Sequence, residues 1–213
     1  MKSIAFAAGL AAAVLAAQAV QAKTVLSDNF NSDAQTLNWT GDSSFTSLPG
    51  PVGQGPGVAS TDLIGTGFFD FYPGNGNYVD LDGSTGWGNM PFAGILQSNA
   101  AFGAGTYTVS FDLGGNARGA TAQTTDVYLG STLVASLTLD SGSPLTAYSY
   151  TASTSGGNLT FEELGPSDQQ GNILDNVTLN SVPEPASWAM MLLGVTAIGG
   201  ALRRRSRLAT VAG

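Results

Sequence analysis

Cysteine and histidine are both absent from the sequence. Without cysteine the chain can form neither a disulfide framework nor a thiolate metal site. Without histidine it lacks the commonest general base and the commonest transition-metal ligand. Catalysis by a Ser-His-Asp or Cys-His arrangement is therefore excluded.

Basic residues are scarce through the middle of the chain. All fifteen acidic residues lie between Asp28 and Glu184, whereas Lys23 and Arg118 are the only basic residues from position 23 to 184, so fifteen negative charges face two positive ones and the net charge of this stretch is −13. An acidic surface repels phosphate backbones, so we expect no nucleic-acid partner. Solubility outside the cell is the simplest interpretation of the acidity, and cation binding is the alternative.

The first 22 residues are typical of a secretory signal peptide. Residues 1–3 carry one positive charge, and residues 4–17 form an almost unbroken apolar run that is rich in alanine. Val20 and Ala22 place small residues at positions −3 and −1, which predicts cleavage by signal peptidase between Ala22 and Lys23. A retained anchor helix is the alternative, and we disfavour it because the run is short for the roughly 20 residues that a span needs.

The C-terminal segment has three parts. Pro183, Glu184 and Pro185 come first, and the two prolines exclude a regular helix or a central strand there, which leaves the junction extended and accessible. Residues 186–202 contain no charged residue, and as a helix they would rise roughly 25 Å, enough for a thin bilayer core. Positive residues tend to stay in the cytoplasm. We therefore expect a C-terminal transmembrane helix that leaves the acidic domain outside and is followed by a cytoplasmic cluster of Arg203, Arg204, Arg205 and Arg207.

The order of Pro-Glu-Pro, apolar run and arginine cluster over residues 183–207 resembles the PEP-CTERM sorting signal of Gram-negative bacteria, with residues 208–213 left as a tail. This resemblance implies recognition by an exosortase, a membrane enzyme that cuts near the Pro-Glu-Pro and transfers the protein to another anchor. It also implies export through the inner membrane, a transient single-pass precursor, and a final place at the cell surface or in the extracellular matrix, in association with exopolysaccharide and biofilm. An ordinary single-span anchor is the alternative.

Residues 23–182 show a pattern of short strands and turns. Residues 106–113 alternate polar with apolar side chains, so we expect Tyr107, Val109, Phe111 and Leu113 to face a core. No helical pattern of about ten residues interrupts the region, which predicts an all-β fold with a single antiparallel two-sheet sandwich. The predicted strands are residues 24–30, 58–64, 78–81, 93–97, 106–113, 125–129, 132–139, 147–151, 158–163 and 173–179.

Residues 78–84 and 173–179 resemble segments of galactose-binding-like, carbohydrate-module jelly-roll domains. In many such modules the first and last strands lie together and hold a structural calcium ion. The resemblance implies Asp28, Asn29, Asp175 and Asn176 as oxygen ligands. Calcium takes about six to eight oxygens, so backbone carbonyls or water would complete the shell. Solvation or turn capping by Asp28, Asn29 and Asn176 is the alternative.

Aromatic residues offer a possible sugar platform. Residues 68–72 read Phe-Phe-Asp-Phe-Tyr, and Trp87 stands between two glycines. Core packing is the favoured interpretation for most of these rings. Trp87 is the ring that we most expect on a surface loop, where it could bind a ligand.

Two acidic pairs, Asp80 with Asp82 and Glu162 with Glu163, raise the alternative of a glycan-active enzyme. Glycoside hydrolysis needs two carboxyl groups about 5–9.5 Å apart across a cleft, and sequence neighbours seldom provide that geometry. We therefore expect no catalysis. The expected function is that of an exported surface or matrix protein with exopolysaccharide or another glycan as its partner, and a passive matrix protein without a specific ligand is the further alternative.

Overall fold

The computed structural model describes residues 22–48, 61–84, 94–166, 168–183, 193–194 and 196–197. Residues Lys23–Val182 form one compact unit. The described residues of this unit contain twelve strands and no helix. The strands are β1 (Lys23–Asp28), β2 (Thr36–Trp39), β3 (Phe45–Leu48), β4 (Thr61–Gly65), β5 (Asn77–Asp80), β6 (Ile95–Ser98), β7 (Gly105–Gly114), β8 (Gln123–Leu129), β9 (Thr132–Leu139), β10 (Thr146–Thr154), β11 (Leu159–Leu164) and β12 (Ile173–Val182).

The strands form two antiparallel sheets, as predicted. The seven-stranded sheet has the order β10-β7-β12-β5-β4-β2, with β1 also paired to β12, and the five-stranded sheet has the order β3-β6-β11-β8-β9. Strand β12 pairs with β7 along one side. Along its other side, Ile173 and Leu174 pair with β5, and the residues after Asn176 pair with β1.

Each predicted strand overlaps an observed one, although residues 58–60 and 93 lie outside the described residues. Strands β2 and β3 were not predicted. Each is only four residues long, and β2 is interrupted at Asn38, whose φ of 54° lies in the left-handed region. Asp62 stabilises this backbone by accepting the Asn38 N–H at 2.6 Å. A period-two pattern this short and irregular gives little signal in the sequence.

The core lies between the sheets. Val109, Phe111 and Leu113 are buried in it, and Tyr107 packs against it half-buried, which confirms the predicted inward face of β7. Neighbouring residues of a strand point to opposite faces. The side chains adjacent to the core residues of β4, β5 and β12 therefore lie on the outer face of the seven-stranded sheet, where the candidate site is built.

Candidate functional site

A second, smaller apolar cluster lies on that outer face. It consists of Ile64, Tyr78 and Ile173. Leu63, which precedes Ile64, and Val79, which follows Tyr78, are buried in the core on the opposite face of the sheet. All three residues of the cluster are buried although they face away from the core. Residues 66–76, between β4 and β5, form the aromatic loop that covers this cluster. The half-buried side chains that pack on the cluster are Phe68, Phe71 and Tyr72 of the loop, together with Leu145.

The hydroxyl of Tyr78 fixes the path of the aromatic loop. It accepts the N–H groups of Phe71 at 2.5 Å and Tyr72 at 3.1 Å, and its own proton is within reach of the Phe69 carbonyl at 3.2 Å. Burial raises the pKa of Tyr78. At the start of the loop, Gly65 has φ of 147°, and a Cβ there would lie 2.1 Å from the Gly76 carbonyl oxygen, so only glycine permits this close approach.

Phe69 is presented to solvent by a strained backbone. Its φ is 54°, and the residue is 54% exposed. The left-handed region costs a non-glycine residue about 1–2 kcal/mol, and an exposed ring recovers little of that cost by burial. Hydrogen bonds at 2.8 Å in both directions between Gly65 and Phe68 hold the turn that enforces it. Strained residues of this kind tend to occur at functional sites.

Phe69 forms one side of a cleft of about 190 Å³. The apolar part of its lining consists of Leu37, Ile64, Phe69 and Phe71. The polar part consists of Asp62, Asp80, Ser84, Arg118 and Gln169. Apolar surfaces with a few fixed polar groups are typical of small-molecule sites. An exposed aromatic ring beside hydrogen-bonding groups can stack on the apolar face of a sugar ring.

Arg118 lines the cleft and is held by several contacts within the protein. Its guanidinium carbon lies 4.7 Å from the centroid of the Phe71 ring, a favourable cation–π position. Its Nη2 donates to Asp80 Oδ2 at 2.5 Å, its Nη1 to the Gln169 carbonyl at 2.6 Å and its Nε to the Asn116 carbonyl at 3.1 Å. These bonds join the β7–β8 loop to β5 and to the β11–β12 loop.

The predicted pair Asp80 and Asp82 is buried and supports the β11–β12 loop. Asp80 Oδ1 accepts the N–H groups of Asp82 and Gly171, both at 3.0 Å. Asp82 Oδ2 accepts the N–H groups of Asp168 and Gln169, both at 2.7 Å. Burial raises the pKa of Asp80 to about 8, against the opposing effect of Arg118. Both carboxyl groups are thus held by backbone donors.

Asp62 lies directly opposite Asp80 in the β4–β5 pair. Its Oδ1 accepts the N–H groups of Asn38 at 2.6 Å and Ser84 at 3.1 Å, and its Oδ2 accepts the Ser84 hydroxyl at 2.6 Å. The residue is 5% exposed, and it lines the cleft. Two neighbouring carboxyl groups therefore line the cleft: Asp80 is bonded to Arg118, and the partners of Asp62 among the described residues are all neutral donors.

The second predicted pair, Glu162 and Glu163, points to opposite sides of β11. Glu163 is 1% exposed, accepts the Thr125 hydroxyl at 2.6 Å, and has its pKa raised to about 8 by burial. Glu162 lies opposite Asp126 on β8, and its pKa is raised by burial and by that neighbour. Adjacent residues of a strand cannot act on one bond from the same side.

The predicted calcium ligands lie around a polar pocket of about 480 Å³ near the end of β1. Asp28, Asn29 and Asn176 line it, together with five hydroxyl residues, Ser27, Ser32, Ser43, Ser44 and Thr178. Asp28 Oδ1 accepts the Phe30 N–H at 2.8 Å. The pKa of Asp28 is raised by burial and by the nearby Asp42. One carboxylate beside many neutral oxygens supplies part of the oxygen donor set that calcium takes.

Asp175, the fourth predicted ligand, is fully buried beside this pocket and does not line it. Its Oδ1 accepts the Asn176 N–H at 2.7 Å, and its pKa is raised to about 7 by burial and by the carboxylates of Asp112 and Asp28. Among the described residues, no three acidic, histidine or cysteine side chains converge as a metal site. A calcium ion here would thus depend on amide, hydroxyl and carbonyl oxygens, and the site stays a prediction.

The chain ends hold the remaining predicted sites. Lys23 begins β1, directly after Ala22, and its N–H donates to Ser181 Oγ at 3.3 Å. Pro183 follows β12. The other predicted residues, and most of the predicted signal peptide at 1–22 and span at 186–202, lie outside the described residues; these residues are Trp87, Glu184, Pro185, Arg203, Arg204, Arg205 and Arg207. Where the structure is described, it contains no helix with the length and apolarity to cross a bilayer.

Residues 181–205 match the PEP-CTERM protein-sorting motif, which confirms the resemblance found in the sequence. The motif implies export and a C-terminal membrane anchor before processing. No curated protein matches the chain.

Solved structures are similar to the domain at low sequence identity. The K1 cleaved adhesin domain of Lys-gingipain from Porphyromonas gingivalis W83 is 15% identical, with a TM-score of 0.51 over 76% of this chain and 99% of that one. The CBM22-1 xylan-binding domain of Paenibacillus barcinonensis Xyn10C is 14% identical, with a TM-score of 0.44 over 78% and 99%. A family 35 carbohydrate binding module from Clostridium thermocellum is 13% identical, with a TM-score of 0.38 over 70% and 100%. The predicted jelly-roll sandwich is confirmed.

Proposed function

We propose that this chain is an exported, exosortase-processed surface protein whose jelly-roll domain binds carbohydrate and does not cleave it. It passes the inner membrane of a Gram-negative bacterium as a single-pass precursor, is cut near Pro183, and then stays at the cell surface or in the extracellular matrix with exopolysaccharide or biofilm. The motif at residues 181–205 supports the processing step. The cleft beside Phe69 supports the binding.

The observation that carries the binding proposal is the presentation of Phe69. Phe69 is 54% exposed on a backbone at φ 54°. Core packing does not explain the cost of this strained backbone in the free protein. Stacking on a sugar ring gives the exposed face a partner. Leu37, at 40% exposure, extends the apolar surface on another side of the cleft.

Non-catalytic binding fits the carboxyl groups of the cleft better than hydrolysis does. A catalytic acid must reach the glycosidic oxygen, and a catalytic base or nucleophile must reach water or the anomeric carbon. Asp80 is 1% exposed and bonded to Arg118 and two backbone N–H groups. Asp62 already accepts three hydrogen bonds. These bonds use both carboxyl groups to hold the protein's own loops and strands, which does not favour a role as catalytic acid, base or nucleophile.

The test is Phe69→Ala in the full chain, purified in detergent and titrated with exopolysaccharide from the producing strain. Loss of one stacking contact should weaken binding by about tenfold, while stability changes by less than about 1 kcal/mol because the ring is exposed. Phe69→Tyr should retain binding. Leu133→Ala, which removes another large side chain that is 51% exposed, is the matched control. Unchanged affinity in Phe69→Ala, or no binding by the wild type, would leave a passive matrix protein as the better description.

A further inference from the structure

Arg118, the basic residue that lines the cleft, already donates hydrogen bonds to other residues of the protein. Each of the three nitrogens of Arg118 donates to a protein oxygen, and the flat face of the guanidinium lies on Phe71. A ligand carboxylate is bound best by two parallel N–H groups of one free guanidinium. Lys23, the other basic residue of positions 23–182, lies on β1 and does not line the cleft. Among the described residues that line the cleft, an acidic ligand therefore finds no cationic group other than this guanidinium, which is already paired with Asp80.

Asp62, the second carboxyl group that lines the cleft, has no cationic partner among the residues that the structure describes. The oxygens of Asp62 accept hydrogen bonds from one hydroxyl and two backbone N–H groups. These neutral donors stabilise the carboxylate without cancelling its charge. A sugar acid bound in the same cleft would place a second carboxylate beside it, and like charges in contact are a strong source of discrimination between ligands.

The size of the cleft limits the ligand to a small unit. At about 190 Å³ it is smaller than the roughly 300 Å³ at the lower end of sites for drug-sized molecules. Phe69, Leu37 and the buried Ile64 are among the residues that line it. One sugar ring, stacked on Phe69 with one hydroxyl group toward Asp62, matches the volume of the cleft and the roughly one acceptor site that the three hydrogen bonds of Asp62 leave open.

We propose that the cleft selects a single uncharged pyranose residue of a neutral polysaccharide and rejects uronate residues, with Asp62 as the specificity-determining side chain. This inference rests on the proposed carbohydrate binding and goes beyond it by naming the ligand class. The acidic domain reinforces the selection, because its net charge of −13 over positions 23–184 repels a polyanionic chain as a whole.

The experiment compares matched neutral and acidic ligands on the full chain in detergent. Cellohexaose, laminarihexaose and mannohexaose are each titrated beside the same oligosaccharide with its primary alcohols oxidised to carboxylates. At least one neutral hexasaccharide should bind, and its oxidised form should bind at least tenfold more weakly. Raising the salt concentration from about 50 mM to about 500 mM should reduce this difference in affinity, because added salt screens the repulsion between the acidic protein and the oxidised ligand.

Asp62→Asn removes the charge and keeps an acceptor for the N–H groups of Asn38 and Ser84. It should reduce the ratio of the affinities for the neutral and oxidised ligands to less than about threefold, mainly because the oxidised form binds more tightly. Asp140→Asn, which removes an exposed carboxylate outside the cleft, should leave the ratio unchanged. An oxidised ligand that binds wild type as tightly as its neutral form would overturn the selectivity while leaving carbohydrate binding in place. Failure of every neutral and oxidised ligand to bind would count against the proposed function itself.

Discussion

Replacing Glu163 with glutamine tests the interior of the sandwich through its response to pH. Glu163 is 1% exposed and accepts hydrogen bonds from the Thr125 hydroxyl at 2.6 Å and the Asn172 N–H at 3.4 Å. Burial raises its pKa to about 8 from the ordinary 4.5, and the carboxylates of Asp80 and Asp82 add to the rise. Glutamine has nearly the same shape and hydrogen-bonding groups as the protonated acid, so the variant mimics the folded state at low pH.

The sign of the effect follows from proton binding. Between pH 4.5 and about 8 the folded protein holds a proton on Glu163 that the unfolded chain releases, because the folded pKa is the higher one. The contribution of this proton to stability is complete below about pH 4.5, and it is lost as the pH rises through about 8. At about 1.4 kcal/mol per pH unit, this pKa difference amounts to a loss on the order of 4–5 kcal/mol.

Urea unfolding at about pH 5 and about pH 9, followed by tryptophan fluorescence, measures this loss. Glu163→Gln should be within about 1 kcal/mol of wild type at pH 5, and it should be the more stable protein at pH 9 by several kcal/mol. Asp140→Asn, at an exposed position, controls for the change in net charge. If wild type and Glu163→Gln lost stability in parallel between the two pH values, Glu163 would be ionised in the folded state and the reasoning would fail.

Three further predictions concern processing, metal binding and the aromatic loop. Alanine at positions 183–185 should leave the precursor in the inner membrane at unprocessed size on immunoblots of cell fractions; mature protein of normal size would exclude exosortase recognition. Millimolar calcium should raise the melting temperature by binding the folded state, and Asp28→Asn, which removes the carboxylate that lines the pocket, should abolish the rise; an unchanged wild-type melting temperature across a calcium titration would exclude the site. Tyr78→Phe leaves the N–H groups of Phe71 and Tyr72 without their acceptor, so it should cost about 1–3 kcal/mol in urea unfolding and weaken glycan binding. Full glycan affinity in that variant would show that the loop keeps its shape without the hydroxyl.

The sandwich could be predicted because alternation along a strand is a local property. In β7, Val109, Phe111 and Leu113 all face the core, and the polar residues between them face outward. Strands β2 and β3 could not be predicted, because four residues contain barely two alternations of polar and apolar side chains. The backbone of Asn38 depends on Asp62, a partner 24 positions away, and no local pattern contains that dependence.

The candidate cleft could be predicted only in part. The aromatic run at residues 68–72 was identified as a possible platform, and core packing was favoured for it. The structure divides the run: Phe68, Phe71 and Tyr72 pack on the outer cluster, whereas Phe69 is exposed. This division depends on Tyr78 and on tertiary pairing. Arg118 stood out in the sequence only as an isolated charge, because its contact with Asp80 spans 38 positions.

The position of β12 bears on when the exported chain can fold. This strand is the last of the domain, yet it lies inside the seven-stranded sheet, where it pairs with β7 on one side and with β5 and β1 on the other. In the proposed export, β7 and β5 have no strand between them and β1 has no partner until residues 173–182 leave the export channel. The sheet therefore depends on contacts that close late and over long sequence separations, a topology that folds slowly. Since the sorting motif begins within β12, at residue 181, the last strand and the start of the motif emerge together, so folding of the domain and presentation of its processing signal become nearly simultaneous events.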